Sequence, residues 1–227
     1  MIKHDTKDKY ISYFSSLHEI VNKEDKICEL CTGKTVLDLG CIDHSYDTAI
    51  KLGDNWLHKR IKGVAKEVTG VDILPNDIKK LIKAGYKIVN ADVEKLNLKR
   101  KFDVIIAGDL IEHLSNIGLF FERVKTHMHK NSILVVSTPN PFNIEQFLSI
   151  LFDNSVKVNP EHTVWIDPKV MFETVKRTGL SILEFYWVRT RFVCNPQHYS
   201  LVSTVLSRVL RKLRPSFERD YIVVLRK

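Results

Sequence analysis

Five stretches of this 227-residue sequence carry chemically useful residue types, four of them at the ends of apolar runs. Thr35-Val36-Leu37-Asp38-Leu39-Gly40-Cys41 closes on an acid, an apolar residue and a glycine. Gly70-Val71-Asp72-Ile73 and Asn90-Ala91-Asp92-Val93 each place an acid at the end of another apolar run. An acid at the end of a buried strand is costly unless it finds a partner, although Asp72 and Asp92 taken singly also read as ordinary turn acids. The other two stretches hold histidines: His113 in Gly108-Asp109-Leu110-Ile111-Glu112-His113-Leu114, and His162 in Asn159-Pro160-Glu161-His162-Thr163. Histidine is the side chain whose pKa suits proton transfer near neutral pH. A dinucleotide dehydrogenase would carry G-x-G-x-x-G after its first strand, whereas Gly40 is followed by Cys41-Ile42-Asp43-His44. Cys28 and Cys31 form a C-x-x-C pair, but no second Cys or His pair stands at zinc spacing. On a helix over Tyr13 to Leu30 the two thiols simply share one face.

Positioning these groups requires strands that end on one edge of a sheet. Short runs rich in Val, Ile and Leu predict strands over Thr35–Leu39, Glu67–Ile73, Lys87–Asp92, Phe102–Ala107 and Ser132–Thr138, alternating with amphipathic helical stretches. Two more strands, Ser181–Val188 and Tyr221–Arg226, follow a helix that starts near Asp167 and stops at Gly179. The expected fold class is α/β, a doubly wound, Rossmann-like, mostly parallel sheet of seven strands with helices on both faces. Residues 1–32 are expected to form an N-terminal helical extension and 33–227 the main domain. Within it lie a substrate-covering insertion at about 141–168 and a basic helix at about 199–214. Hydrophobic residues at 44% and charged residues at 27%, with nine Gly and seven Pro, exclude disorder and collagen-like repeats. The longest apolar runs fall short of a membrane span, and residues 1–10 lack a secretory signal's apolar core, so the expected location is cytoplasmic. The net charge of +8 favours anionic partners.

Taken in register, Thr35–Cys41, Gly70–Ile73, Asn90–Val93, Phe102–Leu114 and Ser137–Asn140 resemble the class I S-adenosylmethionine-dependent methyltransferases, whose first motif reads roughly (V/L)-L-D-(L/I)-G-C-G-x-G. The similarity spans about Val36 to Lys227, and Phe102 to Leu114 together with Ser137-Thr138-Pro139-Asn140 resembles the ubiquinone-biosynthesis and sugar O-methyltransferases. The resemblance implies S-adenosyl-L-methionine as cofactor and S-adenosyl-L-homocysteine as product. It implies cofactor contacts from Asp38, Gly40 and Cys41, and from Asp72, which takes the ribose hydroxyls, with Ile73 beside it. It also implies that Asp92 and Val93 read the adenine and that Ala107 and Gly108 bring backbone near the sulfonium. The sequence departs from the family where Ile42-Asp43-His44 replaces the later loop glycines, and where Asp54-Asn55-Trp56-Leu57-His58 lengthens the path to Asp72. His44 and Trp56 either line the site or are, respectively, a surface and a packed residue.

The implied reaction transfers a methyl group to an oxygen, with nitrogen the less favoured atom, of a small molecule or glycan. A hydroxyl acceptor needs a base, and His113 and His162 are the catalytic candidates. The alternative readings are a helix-capping role for His113 and a loop-holding role for His162. Asp109 and Asn140 alone are a thin ligand set for magnesium, so no metal is expected. Nucleic acid is a poor fit because Gly108-Asp109-Leu110 stands where base methyltransferases resemble one another in Asp/Asn-Pro-Pro-aromatic or Pro-Cys. Leu201 to Leu213 sets an apolar stripe beside Arg208, Arg211, Lys212 and Arg214, a pattern that suits contact with a membrane surface, a lipid-linked substrate or a partner subunit, or packing on the domain with a solvated basic face. Two further classes stay open: a cofactor-binding scaffold without catalysis, and a basic protein associated with membrane or nucleic acid.

Overall fold

The computed structural model describes residues 19–189 and 201–227. Eight strands form one sheet: β1 (Ile20–Val21), β2 (Thr35–Leu39), β3 (Glu67–Asp72), β4 (Ile88–Asn90), β5 (Phe102–Gly108), β6 (Met128–Pro139), β7 (Ser181–Val188) and β8 (Asp220–Arg226). Their order is β1-β7-β8-β6-β5-β2-β3-β4. All neighbours are parallel except those of β8, which runs antiparallel to both β6 and β7. Strand order reverses between β2 and β5, and in such sheets the crevice outside the carboxyl ends at the reversal is the ligand site.

Eight α-helices lie among the described residues: α1 (Lys23–Cys31), α2 (Tyr46–Leu52), α3 (Leu57–Val64), α4 (Pro75–Lys83), α5 (Ile117–Thr126), α6 (Ile144–Asp153), α7 (Pro168–Thr178) and α8 (Leu201–Leu213). Alternation along the strands feeds two buried layers. Leu37, Leu39, Ile105 and Leu134 face α5 and α7 through Phe120, Phe121, Met171 and Phe172. Val36, Val104, Ile106 and Val135 face α1 and α3 through Ile27, Cys28, Cys31 and Ile61. Cys28 and Cys31 therefore do share one helix face, buried against the sheet as free thiols. Asp167 caps α7 by accepting the Lys169 amide, and Gly179 ends that helix in the left-handed region.

Two expectations are corrected. The sheet has eight strands because Ile20–Val21 pairs parallel with Trp187–Val188 at the edge of β7. The expected helix over Tyr13–Leu30 lies outside the described residues as far as residue 18, and within them it begins only at Lys23, where Asn22 caps it. Ile20 and Val21 are β-branched, and the free edge of β7 recruits them against the helical spacing. The Cys194 thiol and the start of the expected 199–214 segment also lie outside the described residues.

Candidate active site

At the strand ends Gly40 turns the chain with φ of +67°, in the left-handed region. A Cβ built there would stand 2.9 Å from Leu110 Cδ1, so both the backbone conformation and the close approach call for glycine. The loop that follows takes a path without further glycines. Ile42 and Cys41 turn inward and pack with Trp56, Ile78 and Leu81. The Trp56 indole Nε1 donates to the Cys41 carbonyl at 2.8 Å. Trp56 is thus a packed residue that braces the loop, while His44 is exposed with φ of +56°. Burial, with Asp38 next, pushes the Cys41 thiol up, so it stays a neutral packing group.

Asp72 is buried beneath this loop. Its Oδ2 accepts the Ile42 amide at 2.9 Å, and its Oδ1 accepts the amides of Ile73 at 2.7 Å and Leu74 at 3.2 Å. Burial raises its pKa, and the three backbone donors work against that rise. A carboxylate has about four acceptor positions, so the three amides leave Asp72 about one, on Oδ2. Asp38 is placed differently. Two residues before the Gly40 turn, the period-two alternation sends it to the α3 face with Val36, where its Oδ2 meets His58 Nδ1 at 2.8 Å. Gly70, beside this pair, leaves no room for a side chain: a Cβ would stand 2.6 Å from Cys41 Sγ and 3.0 Å from His58 Cε1. Asp38 is therefore not brought to the crevice. Asp92 is half-exposed; its Oδ1 caps the Glu94 amide at 2.9 Å and its Oδ2 lies 3.2 Å from Lys95 Nζ. Ile73 projects into solvent beside Asp72, Val93 and Ala107 are buried, and Gly108 is half-buried at the end of β5.

Past β5 the chain changes character. Asp109 adopts φ of +48°, an uncommon conformation for a side-chain-bearing residue. Its amide donates to the Ser137 carbonyl at 3.0 Å, and the Ser137 hydroxyl donates to its Oδ1 at 2.8 Å. Lys23, at the start of α1, closes an ion pair on its other oxygen. Burial works against both charges, but Lys23 holds the Asp109 carboxyl below its ordinary range, and Asp109 followed by Asp220 holds the Lys23 ammonium above its own.

Glu112 and His113 follow in a 3-10 turn over Ile111–His113. Glu112 is buried; its Oε2 accepts the Thr138 hydroxyl at 2.9 Å, whereas Oε1 has no hydrogen-bond partner. Burial, then repulsion from Asp109, pushes its pKa up to about 8. Thr163 fastens the insertion onto this turn. Its amide donates to the Glu112 carbonyl at 2.8 Å, and its hydroxyl reaches the Glu112 and Leu114 carbonyls at 3.1 and 2.7 Å. That clasp sets the neighbouring His162 edge-on to His113, with ring centroids 4.7 Å apart. Burial, then His113, lowers the His162 pKa. One ligand-capable atom each from Glu112, His113 and His162 lie within 4.8 Å of one another, the only such trio found among the described residues. Two imidazoles and a carboxylate are a donor set able to hold a divalent transition metal. Asn140 is not free to join them, because its amide group donates to the Ser216 and Glu218 carbonyls and accepts from Phe142.

The two expected histidines are therefore brought together, some residues past the Gly40, Asp72, Asp92 and Gly108 strand ends. Glu112, Lys23 and His58 were missed. An acid directly before His113 was a visible signal for Glu112; nothing in the sequence linked Lys23 to Asp109 or His58 to Asp38.

A family model described as a methyltransferase domain matches residues 10–185. The chain belongs to that family, and its sheet is that of the class I S-adenosylmethionine-dependent methyltransferases. Among solved structures it is similar to a magnesium protoporphyrin IX methyltransferase from Synechocystis PCC 6803 with bound S-adenosylhomocysteine. The TM-score is 0.59 at 12% identity, covering 100% of this chain and 89% of that one. It is also similar to a SAM-dependent methyltransferase from Archaeoglobus fulgidus, with a TM-score of 0.57 at 16% identity, covering 98% and 100%. Curated relatives include a ubiquinone biosynthesis O-methyltransferase of Rickettsia canadensis, 24% identical over 160 residues, covering 66% of this chain and 63% of that protein. An (S)-tetrahydroprotoberberine N-methyltransferase of Eschscholzia californica is 27% identical over 104 residues, 46% of this chain. The chain spans 29% of the length of that plant enzyme and less than two thirds of the Rickettsia one.

The strand-end row fits the nucleoside cofactor. Gly40 makes the left-handed turn with Leu110 packed against it, Asp72 retains one acceptor position, and half-exposed Asp92 stands one strand further along. Ile73 offers an apolar face beside them.

Proposed function

We propose that this chain transfers a methyl group from S-adenosyl-L-methionine to a hydroxyl oxygen of a small molecule. The observation that carries the choice of oxygen is the Glu112, His113 and His162 cluster at the β5 and β6 ends, one strand from the Gly40 turn. The relatives include both O- and N-methyltransferases, so similarity leaves the atom open. When bound, the cofactor supplies an electrophilic methyl on a sulfonium. Gly40, Asp72, Asp92 and the Gly108 backbone hold the nucleoside and fix its orientation, because in-line displacement depends mainly on alignment. One imidazole of the His162 and His113 pair takes the acceptor's single proton as its oxygen bonds to the methyl and the S–CH3 bond breaks to leave a neutral thioether. An amine acceptor entering as a free base would have less need of such a cluster.

A second reading rests on the unpartnered Glu112 Oε1. Glu112, His113 and His162 would hold a divalent cation that lowers the acceptor hydroxyl's pKa, replacing base catalysis by a side chain. The test is release of S-adenosylhomocysteine over a panel of phenols, catechols, sugars and amines, before and after chelation. Turnover on hydroxyl acceptors supports the first statement, and its loss on chelation with recovery on adding manganese supports the second. Turnover confined to amines overturns the oxygen assignment. Cofactor binding without turnover on any acceptor would favour a non-catalytic scaffold.

A further inference from the structure

Two helices, α6 within the insertion and α8, bury polar side chains while exposing apolar ones. On α6 Glu145, Gln146 and Ser149 are buried alongside Ile144 and Leu148, while Phe147, Ile150, Leu151 and Phe152 are exposed, Phe152 to 68%. On α8 Ser207 and Arg211 are buried, at 1% and 7% exposure, while Leu206, Val209 and Leu213 face outward, Leu213 to 64%. The buried polar groups bind the two helices into one unit. Arg211 reaches Glu145 at 3.1 Å and Glu218 at 3.7 Å. Gln146 clasps the backbone of Lys157 from both sides, at 2.6 and 2.9 Å, which leaves Val156 and Val158 exposed on the adjoining segment. Helices on a water-facing surface place apolar residues inward, and a contiguous apolar face of this kind marks an interaction site.

Charge selects the occupant. Residues 201–214 carry Arg208, Arg211, Lys212 and Arg214 and no Asp or Glu. Arg208, Lys212 and Arg214 are exposed beside the apolar positions, as is Lys157. A second copy of the chain seated on this face would bring like charges together. An anionic bilayer offers both an apolar boundary and a negative surface, and no described helix is long and apolar enough to cross one.

We propose that α6, the segment through Val158 and α8 form a docking face that lies in the surface of an anionic membrane. This goes beyond the methyl-transfer reading and holds whether or not that reading does. The test is co-sedimentation of the full chain with phosphatidylcholine vesicles and with mixed phosphatidylcholine and phosphatidylglycerol vesicles, at low and high salt. Binding should be at least about tenfold tighter to the anionic vesicles and weaken with salt. Leu151→Ser with Phe152→Ser should lower it about tenfold or more, and Lys212→Glu with Arg214→Glu should remove the anionic preference. Val209→Ser with Leu213→Ser repeats the apolar test on the other helix should the first pair fail to fold by circular dichroism. Equal binding to neutral and anionic vesicles, folded variants that bind like the parent, or concentration-dependent dimers abolished by the same substitutions without any vesicle binding would each overturn the proposal.

Discussion

The carboxyl ends of β2 and β3 and those of β5 and β6 lie on one edge of the same sheet, yet they treat their polar groups in opposite ways. At the first end the acids have internal partners: Asp38 has His58, whose own Nε2 is left unpartnered, and Asp72 has three backbone amides. At the second, Glu112 is buried with one oxygen unpartnered, and two imidazoles stand beside it. Self-satisfied groups fix a shape, whereas a buried acceptor without a donor is unfavourable until something supplies charge or a proton. On the proposed function the first end would serve as a seat for the cofactor, and the second is where a proton or cation would be exchanged.

The largest expected effect falls on the second end. If the cluster holds a cation, Glu112→Gln should reduce turnover by about 100-fold or more, with cofactor affinity by calorimetry changed less than about threefold. A parallel loss of cofactor affinity would merge the two regions into one. At the first end, Asp72→Ala removes the acceptor for Ile42, Ile73 and Leu74, at about 1 to 3 kcal/mol of stability or cofactor binding, measured by urea unfolding and calorimetry. Unchanged values in both would mean that the seat does not rest on Asp72.

The pH dependence sharpens the contrast. Glu112 titrates at about 8 in the folded chain against an ordinary value of 4.5. Between those values the folded state keeps a proton that the unfolded chain has released, so stability falls as pH rises through this window and levels off above about 8. Urea unfolding at roughly pH 5 and pH 8 should show this slope in the parent and a smaller one in Glu112→Gln. Manganese, if it binds there, should stabilise more at the higher pH, where the carboxylate forms without opposing a proton.

Two smaller effects follow. Thr163→Val removes the hydroxyl contacts to the Glu112 and Leu114 carbonyls but keeps the amide's. Turnover should fall about tenfold through the loosened His162, with little change in thermal midpoint. Lys23→Met removes the countercharge of Asp109, so the Glu112 titration, followed in the pH profile of turnover, should move upward. An unmoved profile would show that the ion pair is electrically separate from the cluster.

Much of the sheet was legible because its strands are short Val, Ile and Leu runs buried on both faces. Thr35–Leu39 and Ser181–Val188 begin and end where their composition changes. The two-residue strand Ile20–Val21 was not legible, since only the open edge of β7 gives it a partner. The paired His113 and His162 were candidates from residue type alone, but their meeting depends on the Thr163 clasp, across 49 residues of chain.

By itself the sequence determined the alternation of strands and helices, the glycine turn at Gly40 and the placement of acids at strand ends, because these follow from local spacing and from the cost of burying charge. Only the tertiary structure decided which acids are already answered. Asp38 turns to His58 and Asp72 to a loop backbone, while Glu112 keeps an open oxygen beside two histidines. Hydrogen-bond partners far apart in sequence are chosen by packing, and no local pattern encodes the choice.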